Sequence, residues 1–273
     1  MTTPMYVSYY QLRETPFTKE IADTDLLLPP SKQALVDDLV EALENRQSIL
    51  LTGDPGVGKT CVLRALKTRL PEAGFRLTYC HNATLGRRDF YRQISHALGL
   101  TPSATAASLF YAITVHVQEL GKDRIHPVFL LDEAHLLHQD TLDHLHILLN
   151  YNWDSRALLS LFLVGLPELA DRLALRRNRS LFSRIHHRFT VEPATLDDTA
   201  AYLAFRLKQA GADRELFTLD AIGHLHQCTS GSLREIDRLA AAALRDSAKK
   251  KRKLVERDIL ERVSQSETNP SAA

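Results

Sequence analysis

The sequence predicts an α/β fold, a parallel sheet flanked by helices and followed by a smaller all-helical region. Three observations carry that expectation. Short apolar runs alternate with amphipathic stretches of helical period, the pattern of parallel strands covered by helices. A glycine-rich segment, GDPGVGKT at residues 53–60, stands between an apolar run and a helical one. From Pro193 onward the strand pattern stops and only helical periods follow.

Ser31–Asn45 reads as a helix, with Ser31 as a candidate N-cap and Leu35, Leu39, Val40 and Leu43 along one face. Ser48–Thr52 is the first strand, and the helix Thr60–Leu70 follows the glycine-rich turn. Arg76–His81 is a second strand. Arg88–Gly99 and Ala106–Leu120 are helices, the first ended by Gly99. Pro127–Asp132 is a fully apolar third strand, followed by a helix over Gln139–Tyr151. Leu158–Gly165 is the fourth strand, Pro167–Leu175 a helix, and Phe189–Val191 a short last strand. Asp197–Ala210, Asp220–Cys228, Leu233–Ser247 and Glu256–Ser264 complete the helices. The expected organisation is an N-terminal segment over 1–30, an α/β domain over 31–192, a helical lid over 193–265 and a disordered tail over 266–273.

Composition excludes several function classes. A chain of 273 residues can bury a substantial core, and 34 basic against 33 acidic side chains give no overall pull towards polyanions. Any basic function must sit in local patches. Cys61, Cys80 and Cys228 are odd in number and far apart, which argues for reduced thiols and a cytoplasmic setting. His135, His138, His144 and His146 fall close together but without a companion Cys or an HExxH pattern, so no metal site is expected there. The opening residues lack the basic and apolar regions of a signal peptide. The most apolar stretch, Ala157–Ala170, is shorter than the ~20 residues of a membrane span and contains Pro167 and Glu168.

GDPGVGKT matches GxxxxGK[ST] in full and lies where phosphate binding needs it, after a strand and at the start of a helix. Gly53, Gly56 and Gly58 let the backbone curl so that the N–H groups around Asp54, Pro55, Val57 and Cys61 surround a phosphate, aided by the helix dipole. Lys59 is expected to reach the β- and γ-phosphates of ATP, and the Thr60 hydroxyl to ligate Mg²⁺. The second half of the site is VFLLDEAH at 128–135, where an apolar strand delivers Asp132 to its C-terminal end. Asp132 is expected to hold the metal through water and Glu133 to activate the attacking water. The competing reading makes both acids the first residues of a helix, stabilised by its dipole.

Together with YYQLRETPF, LLLPPSKQALVDDLVEAL, LVGLPELADRL, SLFSRIHHRF and GSLREIDRLAAAAL, these blocks resemble the AAA+ superfamily. Within it they resemble the group of the secretion ATPase ExeA and the transposition ATPases TnsC, TniB and MuB. The likeness runs over roughly residues 6–262. It implies a P-loop ATPase that works as an oligomer. It also implies that Arg184 is the arginine inserted into a neighbouring subunit's site, with Arg188 and Arg179 as alternatives among the six arginines of 172–188. Arg234 matches the lid arginine that senses nucleotide. Pro16 and Phe17 match the segment packed near the adenine, local core packing being the other reading. The polar residue that such proteins carry after the fourth strand is replaced here by Leu166, which implies slow hydrolysis.

The resemblance leaves the partner open. The ExeA reading implies work at the cell envelope, but full secretion proteins of that kind add a membrane span and a cell-wall-binding region. The compact length resembles instead stand-alone ATPases that polymerise on duplex DNA and direct a transposase. Lys249, Lys250, Lys251, Arg252 and Lys253 are the candidate DNA contacts, sequence-independent, with a solvated loop as the alternative. The expectation is a self-assembling Mg-ATPase acting on duplex DNA beside a transposase. An envelope ATPase and a non-hydrolysing ATP-gated adaptor are the alternatives.

Overall fold

A computed structural model describes residues 4–18, 21–23, 26–80, 85–101, 105–151 and 155–268. The chain divides into two compact units. One comprises Ser31–Asp54 and Lys59–Val191; the other comprises Met1–Pro30, Pro55–Gly58 and Glu192–Ala273.

The first unit holds five strands: β1 (Ser48–Thr52), β2 (Phe75–Cys80), β3 (His126–Leu131), β4 (Ser160–Gly165) and β5 (Ile185–Thr190). They form one parallel sheet in the order β2-β3-β4-β1-β5. β1, β3 and β4 are buried at every position, as strands covered on both faces must be. The outer strands expose part of their residues: Arg76 and Tyr79 in β2, and every second residue of β5. That explains why β5 is longer than the expected Phe189–Val191: its start, Ile-His-His-Arg, reads as polar because an edge strand turns alternate side chains to solvent. His81, the expected end of the second strand, lies outside the described residues.

The helices of this unit are, in chain order, Pro30–Glu44, Lys59–Arg69, Arg87–Ala97, Ala106–Lys122, Gln139–Leu148, Glu168–Ala174 and Arg179–Phe182. Pro30 opens the first of them, so Ser31 lies inside its first turn and is not the N-cap. Its buried stripe is Val36, Leu39 and Leu43, with Leu35 and Val40 at the margins. Their apolar faces meet the sheet through Phe90, Tyr91, Ile94, Leu109, Ile113 and Leu145, which pack with Phe129, Leu131 and Leu163.

The second unit is helical. It holds α1 (Met5–Tyr9) and, in its C-terminal part, helices over Leu196–Gln209, Leu219–Thr229, Leu233–Lys249 and Arg257–Thr268. Thr195 and Asp198 form a reciprocal capping box at the first of these four, and Thr218 caps the second. The short helix α1 has no periodicity to betray it, and it forms because Tyr6, Val7 and Tyr10 join a core with Leu239, Ala243 and Leu244. The Tyr10 hydroxyl also donates to the Arg252 carbonyl at 3.1 Å. The last helix runs to Thr268, so residues 266–268 of the expected disordered tail are helical. Residues 269–273 lie outside the described residues.

At the start of β3, His126 is buried with its Nε2 2.9 Å from Ser160 Oγ. Burial, and secondarily the nearby Arg46 charge, push its pKa from 6.5 down to about 4. Its folded value is depressed, so the neutral ring contributes stability that is complete above the unfolded value and is lost as pH falls through the folded one. Stability towards urea should therefore fall between about pH 6.5 and pH 4, by at most roughly 3 kcal/mol from this group. His126→Gln should flatten that part of the profile. An unchanged pH slope in the variant would remove His126 as its source.

Candidate nucleotide site

The glycine-rich loop begins where β1 ends. Gly53 is buried and Asp54 exposed; Lys59 opens its helix, with Thr60 exposed and Cys61 half-buried in the same turn. The Lys59 ammonium donates to the carbonyls of Gly53 at 2.7 Å and Asp54 at 3.0 Å, which holds the cation against its own loop. The backbone N–H groups of that first helical turn have no intrahelical acceptor and favour an anion.

Residues Pro55–Gly58 group with the helical unit. Gly56 has a φ of +84°, and its carbonyl accepts from the Arg234 N–H at 3.3 Å. A Cβ at Gly56 would lie 2.5 Å from Ser232 Oγ and 2.9 Å from Arg234 Cβ. This position therefore excludes a side chain both by conformation and by space. Val57 is buried, while the Arg234 side chain is exposed. Pro16 and Phe17 are both buried in the same unit. Pro16 lines a cleft of about 280 Å³ with Thr18, Gln209 and Arg206, and the Arg206 guanidinium lies 6.0 Å from the Phe17 ring centre.

Asp132 and Glu133 follow directly on β3. The Asp132 carboxylate is held at both oxygens: Oδ1 accepts the Glu133 N–H at 2.9 Å and Oδ2 accepts the Tyr79 hydroxyl at 2.8 Å. Sequence reasoning missed Tyr79. Its place comes from the pairing of β2 with β3, which sets Tyr79 opposite Leu130, and nothing local in the sequence marks it. Burial first, then the hydrogen bond and charge of Asp132, raise the Tyr79 pKa far above its ordinary value, so it stays a donor. Glu133 adopts a left-handed φ of +51°, a conformation that costs about 1–3 kcal/mol outside glycine. A 3-10 turn over Ala134–Leu136 follows. The acids thus occupy a strained turn, and no α-helix begins at them: the next one starts at Gln139.

The donor set is all hard oxygen. Thr60 has an exposed hydroxyl, and the half-buried Asp132 carboxylate retains acceptor capacity beyond its two hydrogen bonds. Among the described residues no group of three or more His, Cys, Asp or Glu could enclose a metal. Two oxygen donors suit a magnesium ion that would take its remaining ligands from phosphate oxygens and water.

Residues 41–173 match the family model of the AAA domain. Over 243 residues it is 32% identical to general secretion pathway protein A of Aeromonas hydrophila, a match that covers 88% of this chain and 44% of that protein. The chain therefore spans less than half the length of that relative. Among solved structures, Drosophila ORC bound to DNA aligns with all of this chain and 70% of its own, at 18% identity and a TM-score of 0.70. Cdc6p from Pyrobaculum aerophilum aligns over 90% of this chain and 71% of its own, at 19% identity and a TM-score of 0.65. The structural likeness shows the P-loop AAA fold, and the AAA match with the Aeromonas relative supports an AAA+ ATPase of the ExeA-like group. Proteins with this fold in general use ATP with Mg²⁺. Among the described residues, no helix is long and apolar enough to cross a membrane.

The six arginines of 172–188 differ in their partners. Arg172 donates to the His135 carbonyl at 2.9 Å, and Arg177 is paired with Asp143 at 2.5 Å. The half-buried Arg184 donates to the Ser180 carbonyl at 3.0 Å, while Arg188 lies 3.8 Å over the Phe182 ring. Arg176 and Arg179 are exposed, and neither side chain has a hydrogen bond or ion pair among the described residues. In the basic run, Lys250 is paired with Asp246 at 3.1 Å and Arg252 with Glu256 and Asp258 at 3.0 and 2.9 Å. Lys249, Lys251 and Lys253 remain exposed without such partners among the described residues.

Lys59→Ala should lower the affinity for a fluorescent ATP analogue by about tenfold to a hundredfold, since it removes a charge-assisted contact of roughly 1.5–3 kcal/mol. Gly56→Ala should weaken binding as well and lower the melting temperature, whereas Lys59→Ala should leave the melt unchanged. Undiminished affinity in Lys59→Ala would remove the lysine from the phosphate cradle.

Proposed function

We propose that this AAA domain is a Mg-ATP-dependent ATPase that works as an assembly of identical subunits. The observation that carries this reading is the placement of two pairs in one sheet. Lys59 and Thr60 follow β1, Asp132 and Glu133 follow β3, and only β4 lies between those strands. Ligands of open parallel sheets bind at that edge.

In this reading the backbone of 53–61 and the Lys59 ammonium hold the phosphates, while Thr60 and Asp132 hold the cation. A magnesium ion held there would neutralise the charge that develops on the phosphate oxygens. Glu133 takes the proton from the attacking water as its oxygen approaches phosphorus. Tyr79 and the Glu133 N–H keep the Asp132 carboxylate from rotating. Arg184 of one subunit completes the neighbour's site, Arg234 reports nucleotide state to the helical unit, and Pro16 and Phe17 flank the adenine. Arg188 and Arg179 are the alternatives for the trans-acting role, and the exposed side chain of Arg179, unpaired among the described residues, favours it over Arg188, which lies over the Phe182 ring.

For the work performed, the relation to general secretion pathway protein A supports an envelope-directed ATPase. The second reading, duplex DNA with a transposase partner, rests on the exposed Lys249, Lys251 and Lys253. ORC, one of the similar folds, is bound to DNA in its solved structure, but that likeness supports the fold alone.

Glu133→Gln should bind ATP normally and lose turnover by at least about a hundredfold, because the amide keeps the shape but accepts no proton. Arg184→Ala should also lose turnover, and mixing the two variants should restore part of it. A mixed interface pairs an intact Glu133 with an intact Arg184, which neither variant provides alone. Absence of rescue would move the trans-acting arginine elsewhere. Replacing Lys249, Lys251 and Lys253 together should weaken duplex-DNA binding and reduce its salt slope by about two to three. Wild-type protein with ATP that shows no duplex affinity at low salt would remove the DNA reading and leave the envelope one.

A further inference from the structure

Among the described residues, His135 Nδ1 is buried and has no hydrogen-bond partner. Buried polar atoms in folded proteins are almost always paired, so an orphan asks for a role. The group facing it is the Glu133 carboxylate, whose Oε2 lies 3.5 Å away. The two side chains differ in freedom. That of His135 is 12% exposed and that of Glu133 is 52% exposed. A half-exposed glutamate keeps much of its rotamer freedom, and holding it in one geometry costs entropy unless something anchors it.

Three features fix the imidazole where it can be that anchor. The left-handed turn at Glu133 brings residues 133 and 135 onto one side of the strand end. The Arg172 guanidinium holds the His135 carbonyl at 2.9 Å. The last residue of β4 is Gly165, where a Cβ would sit 3.2 Å from His135 Nδ1, 3.3 Å from its N and 2.8 Å from Leu169 Cδ2. The absence of a side chain at 165 is therefore what admits the ring. The next residue, Leu166, has no polar side-chain atom to offer the acids.

We propose that His135 is the positioning residue for Glu133: its Nδ1–H donates to one carboxylate oxygen and leaves the other aimed at the attacking water. This rests on the reading of Glu133 as the water-activating residue. The imidazole supplies the polar anchor that the strand end lacks at position 166, and it does so from the adjacent turn.

The test uses the shapes of two amides. Asparagine at 135 places its NH₂ where Nδ1 stands, whereas glutamine places it near Nε2. His135→Ala should lower kcat by about a hundredfold, the scale of a misplaced reacting group, with ATP affinity within about twofold of wild type. It should also retain ATP on the protein longer, as Glu133→Gln does. His135→Asn should recover most of the rate and His135→Gln little of it. Gly165→Ala, which crowds the ring, should resemble His135→Ala. In nucleotide-free protein, the nitrogen NMR signal of His135 Nδ1 should shift when Glu133 becomes Gln. Equal rates in the Asn and Gln variants, a wild-type rate in His135→Ala, or an unmoved Nδ1 signal would overturn the proposal while a dead Glu133→Gln leaves the ATPase reading intact. A fully active Glu133→Gln would remove both.

Discussion

Burial of three adjacent parallel strands on both faces governs the α/β unit. β1, β3 and β4 have no exposed residue, so none of them can carry charged chemistry along its length without a large desolvation cost. Charged groups can begin only where the strands stop. Because the strands are parallel, their C-terminal ends share one edge, and Gly53, Asp132 and Leu166 each follow directly on a strand there. The phosphate loop and the acidic pair are thus consequences of one packing constraint.

Immediately beyond that edge the backbone departs from regular structure. Glu133 takes a left-handed conformation, and the chain continues in a 3-10 turn instead of a helix. Such strain persists only where surrounding contacts enforce it. Here they are visible: Tyr79 and the Glu133 N–H grip Asp132, and Arg172 with Gly165 fixes His135. Preorganisation of this kind removes the cost of ordering the groups at the moment of reaction.

Charge is distributed with similar economy. The chain is nearly neutral, and part of each local basic cluster is internally compensated. Exposed ion pairs of this sort add little stability, but they cancel the field that a polyanion would meet. Counting Lys and Arg in the run 249–253 therefore overstates what that loop offers, since two of the five cations already face carboxylates. The arginine cluster shows the same effect, with Arg172 and Arg177 committed to structural partners.

The fold was largely legible because its signals are local. Apolar runs marked the central strands, the phosphate loop named its own flanks, and the acids at 132 and 133 closed an apolar strand. The misreadings came where local pattern fails. The five-residue α1 is too short for a period, β5 hides among polar residues because it lies at an edge, and Pro30 displaced the cap assigned to Ser31. The sequence by itself determined the α/β architecture, through apolar runs alternating with helical periods, and it placed the glycine-rich motif and the acidic pair, each in one short contiguous run. Only the tertiary structure decided that Tyr79 grips Asp132, that Gly165 admits His135 beside Glu133, and which basic residues remain exposed. The pairings with Tyr79 and Gly165 join residues tens of positions apart, and the register of parallel strands, invisible to any local window, sets what lies beside what.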